Sequence, residues 1–143
     1  MLKTRHAYST LFWVGFLTFA VVPLLALAIN VGRWFYARAE MYKAADAAAL
    51  AAVQEVDVPI YIETGQIIIR DTAFGKAQEY ATLNANYLIS RKIYPSVTAI
   101  EVDNARKTVR VKVMAAAEEL VPLIGTVYLY GEGEAQVRGR FQP

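Results

Sequence analysis

The chain has 143 residues and a mass of 15.9 kDa, room for one domain or for one membrane span plus a small domain. Hydrophobic residues make up 56% and charged ones 20%, with mean hydropathy +0.28, which excludes a disordered or nucleic-acid-tail protein. There is no Cys, which excludes disulfides and thiolate zinc sites, and the single His6 argues against a histidine-based triad.

The net charge of +2 is unevenly placed. Residues 1–56 carry five bases (Lys3, Arg5, Arg33, Arg38, Lys43) against three acids (Glu40, Asp46, Glu55), and the rest of the chain is neutral. The excess flanks the first apolar segment, which points to a membrane and away from DNA or RNA.

No charge occurs from Ser9 to Gly32, and Leu11–Val31 is almost wholly apolar. At 1.5 Å per residue such a helix crosses a hydrocarbon core of about 30 Å. Phe12 and Trp13 near one end, and Trp34, Phe35 and Tyr36 past the other, suit interfacial belts. Pro23 falls mid-span, where a membrane helix tolerates a kink. The rival reading is a cleaved signal peptide, with Lys3 and Arg5 as its basic start and Ala26-Leu27-Ala28 as a small-x-small site. The length of the apolar run and its passage into helix-forming sequence favour a retained span. Basic residues lie on both sides, so the positive-inside rule does not decide orientation. The short flank before the span makes an N-in, C-out topology the working expectation.

Past the span runs Ala44-Ala45-Asp46-Ala47-Ala48-Ala49-Leu50-Ala51-Ala52-Val53, and alanine is the strongest helix former. One helix from about Tyr8 to Glu55 is expected, about 70 Å long. Met41 leads into a smooth stripe of Ala44, Ala48, Ala51 and Ala52 that admits another backbone closely. That stripe reads either as simple helix propensity or as a packing face, within the domain or between subunits. Asp46, the lone charge between Ala44 and Val53, would mark register or meet a basic partner.

This arrangement, an N-terminal span, an aromatic–basic boundary and the Asp46-Ala47-Ala48-Ala49-Leu50-Ala51 core, resembles the TadE/TadG-like proteins of Flp (tight-adherence) pilus assembly. Leu120-Val121-Pro122-Leu123-Ile124-Gly125 and the strand ending Glu134-Ala135-Gln136-Val137 are similar to that family's tail. The resemblance implies a helix that anchors an extracytoplasmic domain, acting in pilus assembly or as a minor pilin-like subunit. Its partners would be the lipid bilayer and other pilus or envelope proteins, this chain itself included. A prepilin-peptidase site would want an acid five positions after Gly15, where Ala20 stands, so a retained anchor is expected.

In the remaining chain, Val58–Arg70 reads as a hairpin turning at Thr64-Gly65, with Ile67, Ile68 and Ile69 favouring extension. Asp71 or Thr72 would cap a helix running to about Ser90, packed through Phe74, Ala77, Ala81, Ala85 and Leu88. Tyr80, Asn84, Tyr87 and Arg91 form a second stripe, either ordinary boundary residues or a binding surface. Val97–Met114 is a hairpin turning at Asn104–Lys107, its acids Glu101 and Asp103 set to meet Arg110 and Lys112. Ala115–Ile124 reads as a short turn or helix. Thr126–Arg138 alternates as a strand, with Gly131 and Gly133 leaving space under a crossing helix, for which the Ala-rich first helix is a natural occupant.

The organisation expected is a flank over 1–10, a span over 11–32, an Ala-rich helical extension over 33–56 and a small α+β domain over 57–143. Glu118-Glu119 and Glu132-x-Glu134 are the nearest carboxylate pairs, and neither geometry suits acid–base catalysis. No phosphate-loop, dinucleotide or HExxH motif occurs. The chain thus reads as a non-enzymatic structural or assembly component without cofactor or metal. The alternative is a membrane-tethered binding or sensory module using Tyr80, Asn84 and Tyr87.

Overall fold

A computed structural model describes residues 4–117 and 125–138. The chain divides into two compact units, Met1–Phe35 and Tyr36–Pro143. In the first, α1 (Thr4–Phe16) passes through a π-helical turn at Leu17–Val21 into α2 (Val22–Gln54). Pro23 has no N–H to give the Phe19 carbonyl, and the ladder rearranges in the turn just before it. Thr18 Oγ1 donates to the Val14 carbonyl at 2.9 Å, satisfying its hydroxyl within the helix. Apolar side chains from Leu11 to Ile29 are exposed. No part of the most apolar 18-residue stretch of the helix is buried, so lipid supplies the apolar surroundings.

Among the described residues the second unit holds the Ala-rich part of α2, three short helices and one sheet: α3 (Val58–Thr64), α4 (Ala73–Leu83), α5 (Asn86–Ser90), β1 (Ser96–Asp103), β2 (Thr108–Ala117) and β3 (Val127–Gln136). The sheet is antiparallel throughout, in the order β1-β2-β3. Val109, Val111 and Val113 of the central strand are buried, as are Leu129, Gly131, Gly133 and Ala135 of β3. The architecture is therefore the expected α+β one, a long helix followed by antiparallel strands and helices.

Several local expectations are corrected. Val58–Thr64 is a helix, not a strand. The Asp57 carboxylate accepts the Ile60 N–H at 3.4 Å, Pro59 sits in the first turn, and Gly65 closes the helix at φ 70°. The isoleucines after it make only a single bridge, Val56 to Ile69, in place of a strand. The helix expected to reach Ser90 is broken between α4 and α5, where the Asn84 side chain donates to the Tyr80 carbonyl at 2.9 Å and competes with the helical ladder. Phe74 is half exposed and the buried residue beside it is Ala73. Thr72 stands at the helix start without a capping bond, its hydroxyl donating instead to Glu55 Oε2 at 2.6 Å. Ala115–Ala117 continue β2, paired with Leu129, Tyr128 and Val127, and the rest of that expected turn or helix, 118–124, lies outside the described residues.

Two contacts join segments far apart in sequence. Gln78 on α4 donates from Nε2 to the Pro95 carbonyl at 2.9 Å and accepts the Val97 N–H at 2.8 Å, pairing with the start of β1 as a neighbouring strand would. In the β1–β2 turn, Asn104 Oδ1 accepts the Ile67 N–H at 2.6 Å and Lys107 Nζ donates to the Gly65 carbonyl. Gln78→Ala leaves a part-buried N–H and carbonyl unpaired, each worth about 1 kcal/mol or more. Denaturant titration of the detergent-solubilised chain is expected to show a loss of about 2 kcal/mol. Unchanged stability would mean that water replaces the amide without cost.

Candidate functional site

The Ala face of α2 and the glycine face of β3 are closely apposed. A methyl group built at Gly131 would lie 2.7 Å from the Met41 carbonyl carbon, and one at Gly133 would lie 2.5 Å from the Asp46 nitrogen. Two strand residues advance about 6.8 Å and four helix residues about 6.0 Å, so each step along β3 matches one turn of α2. Small residues on both sides allow this backbone-to-backbone approach. Ala44, Ala48, Ala51 and Ala52 are all buried, together with Met41, Ala45 and Ala49. Asp46 is exposed, as are Tyr42 and Leu50 on the outward side.

Ala48→Leu keeps helix propensity and adds volume where none is free, so a cost of about 1–3 kcal/mol is expected. Ala48→Ser adds little bulk and should be much milder. Thermal unfolding of both variants in detergent separates packing from propensity, and equal, unchanged stabilities would refute close packing at this position.

The other four candidate residues are divided by the helix break. Tyr80 lies on α4, Asn84 at its end, Tyr87 on α5 and Arg91 just past it. The Tyr87 ring meets Tyr36 edge-on at 4.5 Å, and the Arg91 guanidinium lies 5.7 Å from the Tyr87 centroid. Tyr80 remains exposed, whereas Asn84 is turned back onto the Tyr80 carbonyl.

On the sheet face opposite α2, charges alternate by strand. Glu101 on β1 pairs with Lys112 on β2, while Arg110 on β2 reaches both Glu132 at 2.8 Å and Glu134 at 3.3 Å on β3. The Lys112 hydrogen bond holds Glu101 below the ordinary carboxylate value, and the Thr108 and Arg110 hydrogen bonds do the same for Glu134. Backbone N–H groups of Arg106 and Ala105 lower Asp103. These carboxylates stay ionised at neutral pH and are bound to cations, unlike an acid held protonated for proton transfer. Glu118 and Glu119 lie outside the described residues. Among the described residues no group of three or more His, Cys, Asp and Glu side chains is arranged to hold a metal ion. A depression lined by Tyr42, Lys112, Tyr130 and Glu132 is open to solvent. The alanines and glycines of these faces recur with the period of their elements, whereas the partners of Gln78, Asn104 and Lys107 follow no sequence period.

Among the described residues one helix is long and apolar enough to cross a membrane, and it leads into a small α+β unit, the arrangement of a membrane-anchored, single-span protein. Residues 8–55 match the Tad family, described as Flp pilus-assembly TadE/G-like. The match covers the long helical region and ends before the sheet. No curated protein matches the chain, and no solved structure does.

Proposed function

We propose that this chain is a pilin-like structural or assembly component of a Flp/Tad-type pilus or a related envelope machine. Residues 11–32 would form the span, residues 33–56 the Ala-rich extension, and residues 57–143 an extracytoplasmic domain. The observation that carries this reading is the family match over residues 8–55. It coincides with a helix whose early part is apolar and exposed and whose Ala-rich part is packed against a sheet. Such a protein holds a rigid unit at the membrane surface, and its work is contact with other proteins rather than chemistry. Ala44, Asp46, Ala48, Ala51 and Ala52 would set the helix register on which that unit is displayed. Tyr80, Asn84, Tyr87 and Arg91 would offer a side surface to partners.

Crosslinking in intact cells from a photoreactive residue at Tyr80, with mass-spectrometric identification of attached proteins, tests the reading. Pilus or envelope-assembly proteins, or a second copy, are the expected products. Attachment only to solute-binding or signalling proteins would favour the tethered sensory module. Protease added outside spheroplasts should digest the sheet unit, and protection until lysis would reverse the topology. Intact mass should show residues before Ile29 retained.

A further inference from the structure

The two edges of the sheet are treated differently. The β1 edge is irregular between Val97 and Ala99, and Gln78 occupies its first outward donor, the Val97 N–H. The β3 edge has neither device. Val137 donates to the Lys107 carbonyl at 2.8 Å, so the odd-numbered residues of β3 turn their backbone groups toward β2. Tyr128, Tyr130, Glu132, Glu134 and Gln136 therefore direct theirs outward, and all five are exposed. None of these outward groups makes a hydrogen bond to another described residue. A ten-residue edge without proline or an inward charge is a template for strand addition, and folded proteins ordinarily blunt such edges.

We propose that the free edge of β3 receives an extended segment of another protein that carries Lys or Arg at alternate positions. The inference stands on the sheet and does not depend on the pilus reading. Across the outer face, acid, base and acid follow one another over β1, β2 and β3, and Arg110 alone serves both Glu132 and Glu134. A fourth strand continues the pattern when it is basic, since opposite charges across strands attract and like charges repel.

A second copy fits poorly. Its own β3 would set Glu against Glu, Tyr or Gln. Pairing at about 4.8 Å would also force the two overlying α2 helices to about half their usual 8–10 Å separation.

The test uses the full chain in lipid nanodiscs and a synthetic peptide copying Thr108–Ala117, whose Arg and Lys alternate. Hydrogen exchange should show fast outward amides at Tyr128, Tyr130, Glu132, Glu134 and Gln136, with slow odd-numbered ones between them. The peptide should slow the outward set. The same peptide with both bases replaced by Glu should bind on the order of ten-fold more weakly, two pairs having turned repulsive. Glu132→Pro removes an outward N–H and spares the β2 ladder, so it should abolish peptide protection. If that variant also loses the slow odd amides, the wild-type exchange pattern decides. Outward amides slow without peptide, equal binding of both peptides, or protection that rises with protein concentration alone would each overturn the proposal. The last of these would assign the edge to a second copy.

Discussion

Gly133→Ala is expected to lower the stability of the sheet unit by about 3 kcal/mol, at the top of the range for overpacking. The added methyl carbon would sit 2.5 Å from the Asp46 nitrogen and closer still to the Ala45 carbonyl group, and none of these backbone atoms can rotate aside. Helix and sheet must separate along their whole contact, and the alanines around Ala48 lose neighbours as they do. A smaller opposing term comes from the unfolded chain, which loses freedom when glycine becomes alanine, about 0.4–1 kcal/mol. Gly75→Ala is the control. A methyl there, in α4, meets nothing within 4 Å, so helix propensity should raise stability by about 0.5–1 kcal/mol. Opposite signs in chemical denaturation of the two variants are the expected result. A neutral Gly133→Ala would show that α2 does not rest on β3.

Met41→Ala should cost about 3 kcal/mol, within the 2–5 kcal/mol range for deleting a buried large side chain. Met41 is fully buried and is the largest residue on the packed side of α2. Its neighbours Ala44, Ala45 and Ala48 are too small to fill the cavity. Leu50 provides the comparison, being more apolar in its branching but 60% exposed on the same helix. Leu50→Ala should stay within about 0.5 kcal/mol. Thermal unfolding of the pair in one detergent distinguishes the two sites, and equal losses would mean that the helix is rotated about its axis.

Much of this was legible because it is periodic. Met41, Ala44, Ala48, Ala51 and Ala52 recur at helical spacing and are buried, while Asp46 and Leu50 fall off that line and are exposed. The alternation in β2 and β3 marked the inward valines of β2 and the outward charges in the same way, whereas β1 is irregular between Val97 and Ala99 and leaves Val102 exposed. Where local signals competed, the reading failed. Ile60 and Ile62 suggested extension, yet Asp57, Pro59 and Gly65 supply a start and a stop for helix at either end of the same stretch. The break at Asn84 was hidden because the apolar stripe continues through it at the right spacing.

The sequence by itself determined the apolar helix, the Ala-rich continuation and the hairpin, because each follows from neighbours within a few turns or one strand pair. Only the tertiary structure decided the register in which α2 lies on β3, with Met41 against Gly131 and Ala45 against Gly133. It also decided that Gln78 would pair with the start of β1 and that Asn104 and Lys107 would hold Ile67 and Gly65. Those partners lie between 17 and 42 residues apart. A contact over such a separation leaves no period in the chain. It exists because the cost of closing the loop is offset by burial and by backbone groups that would otherwise remain unpaired.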